Sequence, residues 1–138
     1  MDIDFLIERT ILRIGNCLLN KRSEDLKEHD LTANQSETLL YFDAHPGNLA
    51  HDLKDYLKIS HQAARDIVAR MRQKGLLTMR VSDQDGRARE VFLTEKGRDI
   101  CRILKKKGSS VGSNILQTLD DGEKQELWRL LEKISRGI

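Results

Sequence analysis

A mainly α fold with one small β-hairpin is what this sequence predicts, and three observations carry that expectation. Most of the chain shows apolar residues at three- and four-residue spacing, which is the signature of amphipathic helices. The period turns extended only once, between Leu76 and Thr94. That change follows directly on a short, arginine-rich helix pattern, Ser60 to Gly75. A helix followed at once by a hairpin with Arg80, Arg87 and Arg89 is the layout of a winged helix-turn-helix, the hairpin being the wing.

The elements follow in order. A first helix is expected from about Ile3 to Asp25, with Ile7, Ile11, Ile14 and Leu18 on one face and Leu6, Leu12 and Leu19 widening it. Thr32-x-x-Gln35 reads as a capping box that starts a second helix, with Leu39, Leu40 and Phe42 inward. His45-Pro-Gly-Asn48 reads as a turn, and Asn48 is expected to cap a short third helix holding Leu49, Leu53 and Leu57. Ser60 supplies the N-cap of the fourth helix, and Gly75 stops it by taking positive φ without a Cβ penalty. Ala64, Ile67, Val68 and Met71 form its apolar face, whereas His61, Gln62, Arg65, Arg72 and Gln73 point away.

Leu76–Ser82 and Arg89–Thr94 then read as strands, with Asp85-Gly86 between them as a tight-hairpin signal. Thr94 opens a long helix carrying Ile100, Ile103, Leu104, Val111, Ile115 and Leu116. Within it, Gly108-Ser-Ser-Val-Gly-Ser113 predicts a bend or a close helix approach, because each glycine costs about 1 kcal/mol relative to alanine. Asp120-x-x-Glu123 caps a last helix with Leu127, Leu130, Leu131 and Ile134 on one face.

A chain of 138 residues suits one domain, 1–138. The formal net charge of +2 does not by itself argue for nucleic acid, but its distribution is uneven. Between Ser60 and Arg98 stand nine Lys and Arg against five Asp and Glu, an excess able to footprint phosphates. No apolar run approaches the roughly 20 residues of a membrane helix, so no membrane partner is expected. Cys17 and Cys101 are isolated, which suits a reducing, cytoplasmic setting, and burial is the expectation for Cys17. The four histidines share no ligand spacing, so no metal is expected and no cofactor either. There is no phosphate-binding glycine loop and no nucleophile with a local base, which speaks against an enzyme.

The run Ser82-Asp-Gln-Asp-Gly-Arg-Ala-Arg-Glu-Val-Phe-Leu-Thr-Glu-Lys-Gly97 resembles the wing signature of MarR-type transcriptional regulators. In that family an Asp-x-Arg wing precedes an apolar strand, Leu-Thr and a glycine three residues on, here Asp85, Arg87, Val91, Leu93, Thr94 and Gly97. Lys74-Gly75-Leu76-Leu77 matches as well. The chain departs from the pattern at Lys54, where a small residue is usual, and at Lys58, where a glycine is common. Gly86 replaces a basic wing residue, and Arg65 and Asp66 replace the usual recognition-helix residues, with Asp66 placed to pair with Arg70 at i+4.

The resemblance implies a homodimeric, ligand-responsive repressor that binds palindromic double-stranded DNA. Residues 31–97 would form the DNA-binding lobe. Residues 1–30 and 98–138 would form the dimerisation region, through Ile7, Ile11, Ile14, Leu18, Leu127, Leu130, Leu131 and Ile134. A recognition helix contacts base edges through its first residues, here His61, Gln62 and Arg65, with Ser60 near a phosphate and Arg70 and Arg72 placed for phosphates. Arg87 would enter the minor groove and Arg80 and Arg89 would meet flanking phosphates. Asp85 would fix the tip by accepting from the Arg87 guanidinium or a wing amide. The family also implies a small aromatic or lipophilic effector. Tyr41, Phe42 and Tyr56 are available to line its cleft, with core packing as the other reading. A winged helix that serves as a protein-interaction module is the rival from another class; it has no reason to place arginines on both helix and wing.

Overall fold

The computed structural model describes residues 2–138 and has the order α1 (Ile3–Glu28), α2 (Ala33–Ala44), α3 (Ala50–Leu57), α4 (His61–Gln73), β1 (Leu77–Val81), β2 (Arg89–Leu93), α5 (Glu95–Ile115) and α6 (Asp121–Arg136). Helix starts follow the local chemistry. The Thr32 hydroxyl accepts from the Gln35 amide at 3.1 Å while the Gln35 side chain accepts from the Thr32 amide at 3.2 Å. Asp120 and Glu123 repeat that reciprocal cap at α6. At α3 the expectation fails: Leu49 occupies the cap position and the Asp52 carboxylate accepts its N–H at 2.8 Å. Asn48 instead donates from its side-chain amide to the Tyr41 hydroxyl at 2.9 Å.

β1 and β2 pair antiparallel, from Leu77 opposite Leu93 to Val81 opposite Arg89. β2 is held on its other side as well, since Gly47 N–H donates to the Val91 carbonyl and Val91 N–H to the Asn48 carbonyl, each at 2.9 Å. The connection is a seven-residue loop, Ser82–Ala88, rather than a tight two-residue turn. Asp85 begins a turn closed by Ala88 N–H on the Asp85 carbonyl at 3.0 Å, and Gly86 does not take positive φ. The glycine-rich stretch of α5 does not interrupt the helix. α5 runs unbroken through it, and Gly108 passes beside Arg22 of α1.

Every buried apolar residue lies between Leu26 and Leu104. Leu39 and Phe42 of α2, Leu53 of α3, Ala64, Val68 and Met71 of α4, Leu76 and Val91 at the hairpin, and Cys101 and Leu104 of α5 make one continuous core. Full burial of such side chains contributes about 1.5–3 kcal/mol each, so this segment can hold its shape. The first six turns of α1 add no buried residue to that core, and α6 has none either. Ile7, Ile11, Ile14, Leu130, Leu131 and Ile134 all stand exposed, while Leu18 and Leu127 are half-buried. Cys17, expected inside, lies exposed on α1 because nothing in the chain packs on that stretch; Cys101 is buried.

Candidate nucleic-acid interface

Three short-range devices present α4. Lys58, at the end of α3, takes a left-handed conformation (φ 57°, ψ 46°), which turns the chain sharply into Ser60. The Ser60 hydroxyl accepts from the Ala63 amide at 3.0 Å and starts α4. Gly75 (φ 76°) ends it, with Gly75 N–H on the Arg72 carbonyl at 2.9 Å and Leu76 N–H on the Met71 carbonyl at 3.0 Å. Ala64, Val68 and Met71 are buried and Ile67 is half-buried. The outer face of α4 therefore carries His61, Gln62, Arg65, Asp66, Arg70, Arg72 and Gln73, all exposed.

Arg65, Arg70 and Arg72 have no carboxylate or carbonyl partner among the described residues. Asp66 does not pair with Arg70. It accepts from the Gln62 side-chain amide at 2.8 Å, one turn before it, so the three guanidinium groups keep their full donor capacity. The His61 ring lies 6.2 Å from that of His51 on α3.

The wing is braced from within. The Ser82 hydroxyl accepts from Gln84 N–H at 3.2 Å and Asp85 N–H at 3.3 Å, and the Asp85 carboxylate accepts from Arg87 N–H at 3.0 Å. Those bonds use the backbone of Arg87 and leave its exposed side chain without a partner among the described residues. Arg89 reaches back to the Gly86 carbonyl at 3.4 Å. Arg80 is more engaged than its sequence position suggests: its guanidinium lies 4.1 Å over the Phe92 ring and 3.7 Å from Glu90 across the hairpin. α4 and the wing, both part of the segment that contains the core, thus each carry exposed arginines, with Arg65, Arg70, Arg72 and Arg87 unpaired among the described residues.

Of the aromatic residues, Phe42 belongs to the core. Tyr41 and Tyr56 stack with ring centroids 4.9 Å apart, and Tyr56 keeps an exposed face. Burial against this cluster, and then the nearby Glu37 carboxylate, raises the Tyr56 hydroxyl above its ordinary range. No group of three or more His, Cys, Asp or Glu side chains among the described residues could hold a metal ion.

The family model that matches this chain is that of the MarR family, over residues 29–88, which takes in α2, α3, α4 and the wing tip. The segment from α2 to the wing tip is thus similar to the MarR family. Among similar proteins, the uncharacterized HTH-type transcriptional regulator YybA of Bacillus subtilis (strain 168) is 24% identical over 132 residues, 96% of this chain and 88% of that protein. The solved MepR–DNA complex of S. aureus superposes with a TM-score of 0.84 at 20% identity, covering 99% of both chains. The PcaV transcriptional regulator of Streptomyces coelicolor, in complex with its natural ligand, gives 0.81 at 20% identity, covering 99% of this chain and 96% of that one. These likenesses show the six-helix, one-hairpin fold. No helix among the described residues is long and apolar enough to cross a membrane.

Proposed function

We propose that this chain is a MarR-family transcriptional regulator, a cytoplasmic homodimer that represses transcription by holding palindromic operator DNA, and that a small aromatic or lipophilic effector releases it. The observation that carries the reading is the set of exposed, unpaired arginines on α4 and wing, presented from the part of the chain that holds the core. Residues 31–97 serve as the DNA-binding lobe, and 1–30 with 98–138 as the dimerisation region. The apolar faces of α1 and α6, unpartnered within one chain, support the second half of that division.

Ser60 and His61 stand at the positive end of the α4 dipole, which favours a phosphate there. Gln62 and Arg65 project from the first turns, where base edges lie within reach, and Arg70 and Arg72 follow toward the backbone. Arg87 enters the minor groove from a wing tip that Asp85 holds through the backbone. Arg80 and Arg89 flank it. Arg80 first has to leave Glu90 or carry it along, so its contribution is smaller than that of Arg87. The exposed side of the Tyr41–Tyr56 stack offers a planar apolar surface for the effector.

The test is Arg87→Ala in equilibrium titrations against an operator duplex at several salt concentrations. Loss of one phosphate or minor-groove contact should weaken binding several-fold and reduce the logarithmic salt slope by about one. Unchanged affinity and slope would remove the wing from the interface.

A further inference from the structure

Lys74 belongs to the arginine- and lysine-rich segment, yet its side chain turns inward and is only 17% exposed. It donates to the backbone carbonyl of Asp30 and, at 3.0 Å, to the side-chain carbonyl of Gln35, with the Asp30 carboxylate 3.6 Å away. Asp30 is the left-handed residue (φ 54°) that closes α1, and Gln35 is the capping residue of α2. The other side of the same chain segment is tied to the start of α5. The Lys74 carbonyl accepts from Lys96 at 3.2 Å, the Gly75 carbonyl accepts the Thr94 hydroxyl at 2.6 Å, and the Leu76 carbonyl accepts Thr94 N–H at 3.1 Å.

The C-terminal end of α4 is therefore fastened at once to the corner between α1 and α2 and to the first turn of α5. α1 and α5 are the helices that lead into the terminal region. A largely covered ammonium is costly to desolvate unless it is satisfied, and here two hydrogen bonds and the nearby Asp30 carboxylate, all from one corner, satisfy it. The hairpin would follow α4 without Lys74. What the ammonium adds is a fixed angle between α4 and α1.

We propose that Lys74 is a positioning residue for DNA reading, which sets the tilt of α4 against the dimerisation helices and so the spacing of half-sites the dimer accepts. It makes no phosphate contact of its own. The inference rests on the proposed DNA-reading function and assigns a determinant of operator geometry to a residue that faces away from DNA.

Lys74→Met keeps the aliphatic stem and leaves no buried acceptor stranded. The Asp30 carboxylate is solvated, and the Gln35 carbonyl still accepts from Thr32 N–H. Full-length wild type and variant are titrated with a two-fold duplex selected by the wild type from a random pool, and with versions carrying one base pair more or fewer at its centre. The wild type should discriminate among the three by at least about tenfold. The variant should bind the parent duplex about tenfold more weakly, level out the spacing preference, and keep the wild-type salt slope. A retained spacing preference overturns the proposal, and so does a slope lowered by about one, which would make Lys74 a phosphate ligand. Should Lys74→Met not fold, Lys74→Gln, which keeps a shorter donor, carries the same comparison. A wild type that selects no sequence overturns the DNA-reading function together with this inference. A wild type that selects one, with an unaltered variant, overturns this inference alone.

Discussion

Gly97 has no room for a side chain. A Cβ built there would lie 2.2 Å from the Leu76 carbonyl oxygen, which is itself engaged by Thr94 N–H. The close approach lets the first turn of α5 seat on the hairpin and bring the Thr94 hydroxyl to the Gly75 carbonyl. Gly97→Ala should cost about 3 kcal/mol and lower Tm by roughly 10 °C in a thermal melt, because backbone rather than a flexible side chain has to move. A melt within 2 °C of wild type, about the noise of a small effect, would contradict it. At the same scale, side chains whose partners are a few residues away were legible in the sequence: Thr32 with Gln35, Ser60 with Ala63, Asp120 with Glu123. Those whose partners come from elsewhere were not. Asn48 leaves its cap for the Tyr41 hydroxyl, Arg80 is drawn to Phe92 and Glu90, and Lys74 finds acceptors more than thirty residues back. Asp66 had two partners at helical spacing, and only the structure shows that it takes Gln62.

Among the elements, the turn between α3 and α4 carries a visible cost. Lys58 occupies the left-handed region, where an L-residue pays about 1–2 kcal/mol that glycine does not. Lys58→Gly gives part of that back as entropy of the unfolded chain, so a net stabilisation of about 0.5–1 kcal/mol is expected in urea unfolding. Lys58→Ala keeps the strain and should show no such gain; equal stability of the glycine and alanine variants would contradict the account. The order and type of all eight elements were legible because hydrophobic period and capping residues are local. The wing was legible in place but not in form. Asp85 begins the turn rather than sharing a two-residue tip with Gly86, since the seven-residue loop is held by Ser82 and Asp85 side chains. The α5 glycines, which read as a weak point, sit in an unbroken helix whose length outweighs their propensity cost.

For the whole molecule, the distribution of burial is the dominant fact. The core ends at Leu26 on one side and Leu104 on the other, which leaves two apolar helix faces in water. The eight residues expected to dimerise, from Ile7 to Ile134, are all exposed or half-buried in the single chain, and Cys17 shares their exposure on α1. That Cys17 is uncovered could not be read from the sequence, because helical periodicity tells which face is apolar but not what covers it. A homodimer should be the species seen by sedimentation at micromolar concentration. Leu131→Glu, which puts a charge at the centre of the α6 face, should yield monomers that keep the helical spectrum of the lobe. A monomeric wild type would contradict the dimer. A dimer that persists unchanged in Leu131→Glu would place the contact elsewhere.

The proposed homodimer reads sequence through α4 and the wing. Fluorescence anisotropy of the wild type, with a duplex selected from a random pool against a scrambled duplex of equal length at near-physiological salt, tests it most directly. The account predicts binding at least about a hundredfold tighter to the selected duplex, lost when Arg65 or Arg87 is replaced by alanine. Equally weak binding to both duplexes would contradict it, and would leave the arginines of α4 and wing as a surface for another partner.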